Sequence, residues 1–483
     1  MEQHLFEQSP MTTLNPASLP CHKVLNYQLN GIGDLPNVKV KGSLLDAVVD
    51  SVYSSILNYV LPIGCVHIDS INHLDEPYSV SDTTEKNGYA THQALKIKST
   101  ALSVQRFLKH NDQSSMSAAH RRLEAFQIKQ AFTELTEYFK SHERFVLFIN
   151  RSLANCAQQF AFCFVHRISH GNISSDALSI DGKWQNNELC SFHSNFDKTT
   201  FSAENSSKEA HDAAAIFIKW VCYYNSFNGT DIEANELSEY FSSLYRKYIE
   251  YYAVTLIGLT PDELPLNTNT RSNFTDSIIR LYEQNPSESQ LIAFITKTFI
   301  NWQLSNSNSA ASCLEFVGPD SASKLILDSI LHSDQQHYTE QSVLTRCAIL
   351  ALRKLLFGHL FKNQHIRQSL LVQLNNRRLD TIVGLSEQYE NCAKWMYGSE
   401  DSLVHSVIFS NTKLLVYFVP ITQSYVVEHF NKGHKYSFLN ARELSIYIQG
   451  QSKLDFNLPG ALVWKNLIKL INMLIEIENC QLA

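Results

Sequence analysis

The sequence predicts an α+β protein in which a large, mainly helical region is followed by a short antiparallel strand-rich segment. Apolar residues recur at helical spacing through most of the stretch 118–374, and near Val404 the pattern changes to that of short strands. The chain has 483 residues, of which 44% are hydrophobic and 18% are charged. A chain of this length and composition can bury a sizeable core, which excludes a disordered or fibrous protein.

The charge balance is mildly acidic. Forty basic side chains against 47 acidic ones give a formal net charge of -7, so neither nucleic acid nor an anionic membrane is an expected partner. No run reaches about 18 apolar residues, and residues 1–10 lack the basic start of a secretory signal. Ten scattered cysteines without a C-x-x-C pair fit free thiols in a reducing compartment. We therefore expect a cytoplasmic protein.

The order of the predicted elements divides the chain into three parts: an N-terminal lobe (1–118), a helical lobe (119–400) and a C-terminal segment (401–483). The first part holds a helix at 43–61 and a strand at 65–71. Helices are predicted in the second part at 118–142, 143–166, 210–225, 233–256, 272–284, 287–304 and 340–374. The third part has predicted strands at 404–410, 413–422, 425–430, 435–439 and 444–449, and a closing helix at 459–478.

Two details of the C-terminal segment can be tested in a structure. Asn431, Lys432 and Gly433 are typical of a hairpin turn between two of the predicted strands. The region 413–428 fits either a buried strand of the sheet, which we favour, or an exposed edge available to a partner.

The segment that follows the apolar helix ending near residue 168 has the features of a catalytic loop. His170 and Gly171 come first, then Asp176, a short apolar stretch and a turn at Gly182. Kinase-like folds present a base in such a loop, where the acid accepts a hydroxyl proton and nearby Asn or Asp side chains hold magnesium. An ordinary turn rich in Asn, Ser and Asp is the alternative. Phosphate-loop, zincin and nucleophile-elbow motifs are absent from the sequence.

Four segments in the same order resemble the selenoprotein O family of protein adenylyltransferases, which has a protein-kinase-like fold. They are QLNGIGDLP at 28–36, SILNYVLPIGCVHI at 55–68, AHRRLEAFQ at 119–127 and the loop at 162–182. The resemblance implies that Asp176 and His170 stand at catalytic positions and that Asn186 stands at a metal position. It places Asn30, Gly31, Gly33 and Arg122 at nucleotide-binding positions. ATP and magnesium are the cofactors that it implies for an active site.

Several positions depart from the family pattern. Asn30 replaces a lysine and Ile56 replaces a glutamate, so we expect the kinase-like lysine–glutamate pair to be absent. Ala177 replaces a metal-binding asparagine, and Asn186 replaces a metal-binding aspartate with a weaker ligand. The resemblance therefore implies a degenerate kinase-like fold whose nucleotide site has lost much of its charge.

Within this superfamily, the chain is similar in form to the maturation proteins of siderophore-carrying microcins. The similar features are the L-P-[IL]-G pattern near residue 61, the loop at 170–184 and the total length. This resemblance implies a subunit of a peptide-modifying complex that acts with a small acyltransferase-like protein. That complex attaches a glucosylated siderophore to the C-terminal serine of a precursor peptide.

Two other hypotheses remain open at this point. The chain could be an active ATP-dependent adenylyltransferase or ester-forming transferase, or a helical scaffold protein unrelated to peptide maturation.

Overall fold

A computed structural model of the protein describes residues 28–30, 43–77, 89–98, 102–108, 117–193, 202–259, 268–284, 286–306, 339–397, 406–431, 433–451 and 460–479. Within these ranges the fold is α+β, with a small antiparallel sheet near the C-terminus. Among the helices described, none is long and apolar enough to cross a membrane. Seven cysteines lie in these ranges, and all except Cys222 are buried.

A three-stranded antiparallel sheet and one long helix form the N-terminal part. Strands β1 (Gln28–Asn30), β3 (His92–Lys98) and β2 (Ile68–Pro77) lie in that order across the sheet. Helix α1 (Leu44–Val60) begins at Ser43, whose hydroxyl accepts a hydrogen bond from the Asp46 amide, and packs against β2 and β3. Proline cannot continue a helix, so Pro62 fits its end.

Long helices make up most of the middle of the chain. Helix α3 (His142–His166) is the central one: its buried face carries Phe145, Leu153 and Phe160 and packs against α4 and α5. The helices are α2 (Ala118–Phe139), α3, α4 (Ala203–Asn228), α5 (Ala234–Ala253), α6 (Thr268–Glu283), α7 (Glu288–Asn306), α8 (Glu340–Phe357), α9 (Asn363–Asn375) and α10 (Leu379–Tyr397).

The C-terminal part is a four-stranded antiparallel sheet covered by two helices. Strands β6 (Ser406–Ser410), β7 (Leu414–Val419), β8 (Ser424–His429) and β9 (His434–Phe438) follow one another across the sheet. Helices α11 (Ala441–Gly450) and α12 (Gly460–Asn479) pack against each other. The predicted hairpin is confirmed, because β8 pairs with β9 around residues 430–433. Strand β7 is an inner strand, which confirms the buried alternative for its part of the region 413–428.

Two of the predicted elements are wrong, and strand β3 was not predicted. The stretch 444–449 is helical, because the Asn440 side chain caps α11 by accepting from the Glu443 amide at 2.9 Å. Ala441, Leu444 and Ile448 then share one buried helical face, although LSIYIQ reads as an alternating strand. The single helix predicted at 340–374 is two helices separated by a 3₁₀ turn at Gly358–Phe361. Strand β3 (His92–Lys98) lies at a position where the sequence predicts no element.

One continuous core joins these parts. The Tyr53 hydroxyl of α1 donates to the Phe361 carbonyl at 2.8 Å, across 308 residues of chain. Helix α1 also packs against α9 and α10. The division of the chain at residues 118 and 400 therefore stays a prediction, and residues 1–27 and 31–42, which include Gly31 and Gly33, lie outside the described residues.

Candidate functional site

The end of helix α3 places the loop that the sequence singles out. Arg167 adopts a left-handed conformation with φ of 56°, and its amide donates to the Cys163 carbonyl, which ends the helix. The chain then runs through β4 (Ile168–Ser169), which pairs with β5 (Ser191–Phe192). Because helix α3 ends before Arg167, His170 and Gly171 lie in the loop that follows it, with His170 buried.

His170 is part of a buried polar contact with α4. Its amide donates to Glu209 Oε2 at 3.1 Å, and the Gly171 amide donates to Glu209 Oε1 at 2.9 Å. The His170 Nε2 atom lies 3.0 Å from the Gln185 carbonyl. Burial lowers the pKa of His170 and raises the pKa of Glu209. These contacts make His170 a group that fixes the loop.

A tight hairpin joins Asp176 to Asn186. Leu178 pairs with Trp184, and the turn between them is closed by Gly182, with φ of 87°. A side chain at Gly182 would lie 3.0 Å from the Ser152 carbonyl, so this position needs glycine. The Gln185 amide donates to the Ala177 carbonyl at 2.9 Å, which brings the two ends of the hairpin together.

Lys98 lies at the open end of this hairpin. Its Nζ atom donates to Asn186 Oδ1 at 2.7 Å, and Asn186 Nδ2 donates to the Asp176 carbonyl at 2.8 Å and to Asp176 Oδ2 at 3.3 Å. Asp176 also accepts from the Ser174 hydroxyl. Asn186 is held in the left-handed region with φ of 59°. Asp176 and Asn186, predicted as catalytic and metal positions, are thus in direct contact.

A second lysine of β3 forms a buried ion pair with helix α1. Lys96 Nζ lies 2.7 Å from Asp50 Oδ2, and Asp50 has no solvent-exposed side-chain surface. The other Asp50 oxygen accepts from the Asn187 amide at 2.7 Å. Glu188 Oε2 lies 3.5 Å from the same lysine. We call the set Asp50, Lys96, Lys98, Asp176, Asn186 and Glu188 the charged cluster.

The two lysines of the charged cluster differ in their protonation. Burial opposes the charge of both, but the attraction of Asp50 outweighs it at Lys96 and raises the pKa of that lysine. Burial prevails at Lys98 and lowers its pKa to about 8. Burial likewise raises the pKa of Glu188. Lys98 is therefore the member of the cluster that can gain or lose a proton close to neutral pH.

Asn30 has its backbone in the same sheet, in register with Lys96. Arg122 is exposed on α2 and contributes no described contact to the cluster. Ile56 and Ala177, the other departures from the family pattern, are buried. Gly31 and Gly33 are not among the described residues.

The expected absence of the kinase-like lysine–glutamate pair stays a prediction, but the structure holds a buried lysine–carboxylate pair at other positions. Lys96 and Asp50 form one, at positions that the motif comparison did not consider. Two signals in the sequence could have found them. LKIK at 95–98 places two lysines on one side of a strand, and Asp50 is a carboxylate inside an otherwise apolar helical face.

The donors in the charged cluster do not fit a magnesium ion. The Asn186 oxygen that would face the ion accepts from Lys98, and Ala177 offers no side-chain oxygen. Within the described ranges, no group of three or more His, Cys, Asp or Glu side chains has the arrangement of a metal site. The cluster supplies instead two buried ammonium groups and three carboxylates.

No family model matches this chain, and no curated protein is significantly similar to it.

Proposed function

We propose that this protein is a subunit of a cytoplasmic peptide-modifying complex, with a degenerate kinase-like nucleotide site that acts in binding or scaffolding. In this proposal it works beside a small acyltransferase-like protein that joins a glucosylated siderophore to the C-terminal serine of a precursor peptide. The support is the order of the four resembling segments, together with the contact between Asp176 and Asn186, which the resemblance to the selenoprotein O family implies for one site.

The observation that carries the proposal of degeneracy is the position of Lys98. An ammonium group at 2.7 Å from Asn186 Oδ1 lies beside the Asp176 carboxylate, where the resemblance implies a divalent cation. A fixed lysine supplies one positive charge, but unlike a magnesium ion it has no coordination positions that phosphate oxygens could occupy. This arrangement therefore favours a role in binding over nucleotidyl transfer.

The proposal is tested first by nucleotide binding. The melting temperature of the full chain is measured with ATP, with and without magnesium. A ligand at about 100 times its Kd stabilises the folded state by about 2.7 kcal/mol. We expect any stabilisation by ATP to be the same with and without magnesium. A large magnesium-dependent increase would contradict degeneracy and favour the active ATP-dependent transferase.

The second test is reconstitution. The chain, the small acyltransferase-like protein, the precursor peptide and the glucosylated siderophore are combined, and the conjugate is measured by mass spectrometry. We expect conjugation to require the chain and to persist in the Asp176→Asn variant. Conjugation that proceeds without the chain would contradict a role in the complex and leave the helical scaffold as the better hypothesis.

A matched control for Asp176 lies five residues further along the chain. The Asp181 carboxylate accepts from Ser179 as the Asp176 carboxylate accepts from Ser174, but only Asp176 contacts Asn186. Loss of conjugation in Asp176→Asn but not in Asp181→Asn would assign a catalytic role to Asp176. Equal activity of both variants supports the noncatalytic role.

A further inference from the structure

A cavity lies at the C-terminal end of helix α3. It is lined by the end of α3, the residues that follow β5, and the inner faces of α6, α7 and α8. The cavity encloses about 60 Å³. A single water needs about 10–15 Å³ measured in this way, so the space holds several waters or a small organic group.

The deeper wall of this cavity is apolar. Helices α6 and α7 contribute Ile278, Leu281, Leu291, Phe294 and Ile295. Each of these side chains offers dispersion contacts and no hydrogen-bonding group. A water molecule needs two to four polar partners to be held, so this wall favours an apolar group over water.

Four basic side chains also line the cavity. His166, Arg167, His193 and Lys354 all contribute to it, and none of the lining residues that the structure describes is a carboxylate. The Arg167 guanidinium lies 5.8 Å from the centre of the Tyr282 ring, and Lys354 Nζ lies 5.6 Å from the centre of the Tyr397 ring. Four basic side chains around one small cavity are notable in a chain whose net charge is -7.

The electrostatics agree with this geometry. Burial, and after it the positive charge of Lys354, lowers the pKa of His166. Burial, and then Arg167 and Lys362, lowers the pKa of His193 to about 4. Burial, reinforced by these neighbouring positive charges, lowers the pKa of both histidines, and the same positive charges would attract a negative group brought into the cavity.

We infer that this cavity binds a small organic anion: a carboxylate attached to an apolar chain or ring. The carboxylate lies toward Arg167 and Lys354, and the apolar body packs against α6 and α7. The inference is independent of the nucleotide site and of the proposed peptide-modifying role, because it uses none of the charged cluster.

The experiment compares octanoate with 1-octanol on the full chain by isothermal titration calorimetry. The two probes share an eight-carbon chain and differ in charge. We expect octanoate to bind saturably at one site and 1-octanol to bind at least about tenfold more weakly, because only the carboxylate gains from the basic lining. Equal affinity for the two probes, or the absence of saturable octanoate binding, would overturn the inference.

Two lysines provide a matched pair of variants. Lys354 and Lys394 both lie over a tyrosine ring near the end of a helix, but only Lys354 lines the cavity. We expect Lys354→Met to weaken octanoate binding by about tenfold and Lys394→Met to leave it within about twofold. Equal effects of the two substitutions would contradict the assignment.

A third variant tests the cavity without changing its charge. Ala351 lines it, so Ala351→Leu fills part of the space, and melting curves of each variant establish that the fold is kept. We expect octanoate binding to fall while the lysines remain. Unchanged binding in Ala351→Leu would place the probe elsewhere on the protein and overturn the assignment.

Discussion

Two carboxylates, the buried Asp50 in the N-terminal half and the half-buried Glu478 in the C-terminal half, have contrasting partners. Asp50 in the charged cluster lies against a lysine and a backbone amide. Glu478 on helix α12 accepts from the Tyr425 hydroxyl at 2.6 Å and from the Ala441 amide at 2.9 Å, with no lysine among these partners. The first carboxylate is stabilised mainly by opposite charge, and the second only by neutral donors.

The pKa values of the two groups follow from this difference. Burial alone would raise the pKa of Asp50, but the attraction of Lys96 and Lys98 outweighs it and the pKa is lowered. Burial prevails at Glu478, and its pKa is raised. Asp50 in the N-terminal half is therefore part of a buried ion pair. Glu478 in the C-terminal half instead links Tyr425 of strand β8 and Ala441 of helix α11 to helix α12.

The largest effect is expected from breaking the ion pair. Asp50→Asn removes the negative charge and leaves Lys96 buried, with Glu188 Oε2 at 3.5 Å as its remaining carboxylate contact. Removing one member of a buried pair typically costs about 3–5 kcal/mol, so the free energy of unfolding should fall by that amount. Chemical denaturation of the full chain measures it.

Asp46 is the control for this prediction, because it lies one turn earlier on the same helix. Its partner Arg367 is 2.6 Å away, but both side chains are about a third exposed. Asp46→Asn should cost about 1 kcal/mol or less, as for other surface pairs. A loss of that same size in Asp50→Asn would show that burial of the pair contributes nothing.

The contrast between the two halves also explains what the sequence could predict. Strands β7 and β8 lie next to each other in the chain, and their alternation and the turn after β8 are local signals. The end of helix α3 and the turn at Gly182 are also local signals. From them the sequence correctly predicts that His170 and Asp176 lie in a loop.

The charged cluster was less accessible to sequence analysis because its members are distant in the chain. Lys96 is 46 residues from Asp50, and the Asn187 amide is 137 residues from it. No periodicity within one element reports such contacts. The family pattern bears on Asn30 and Ile56, and it gives no indication that Lys96 of the sheet and Asp50 of helix α1 form a pair.

An intermediate effect is expected from removing the donor to Glu478. Tyr425→Phe deletes a hydroxyl that donates to a carboxylate, and hydrogen bonds to charged groups contribute about 1.5–3 kcal/mol. The free energy of unfolding should fall within that range. Tyr53→Phe is the control, because Tyr53 is equally buried but donates to a neutral carbonyl, and its loss should cost about 0.5–1.5 kcal/mol. If the Tyr53 variant loses as much as the Tyr425 variant, the charge of Glu478 has no bearing on the strength of its contact.

The smallest effect is a difference in how two substitutions depend on pH. A carboxylate with a lowered pKa stabilises the folded state above its ordinary value, which is 3.8 for Asp50, and that contribution is lost as the pH falls through the folded pKa. A carboxylate with a raised pKa holds its proton more tightly when folded. Between 4.5 and the raised pKa of Glu478, the folded protein therefore gains stability as the pH falls.

The destabilisation caused by Asp50→Asn should accordingly stay nearly constant above 3.8 and shrink only as the pH falls below that value, whereas the destabilisation caused by Glu478→Gln should grow as the pH falls from the raised pKa of Glu478 to 4.5. Denaturation curves of both variants and of the unchanged protein, measured at about pH 7, 4.5 and 3, give the two slopes. Because each slope is referred to the unchanged protein, titration of all other groups cancels as long as they are not coupled to the substituted one. Slopes of the same sign would mean that the lysines do not control the charge of Asp50, and the contrast between the charged cluster and the C-terminal sheet would lose its electrostatic basis.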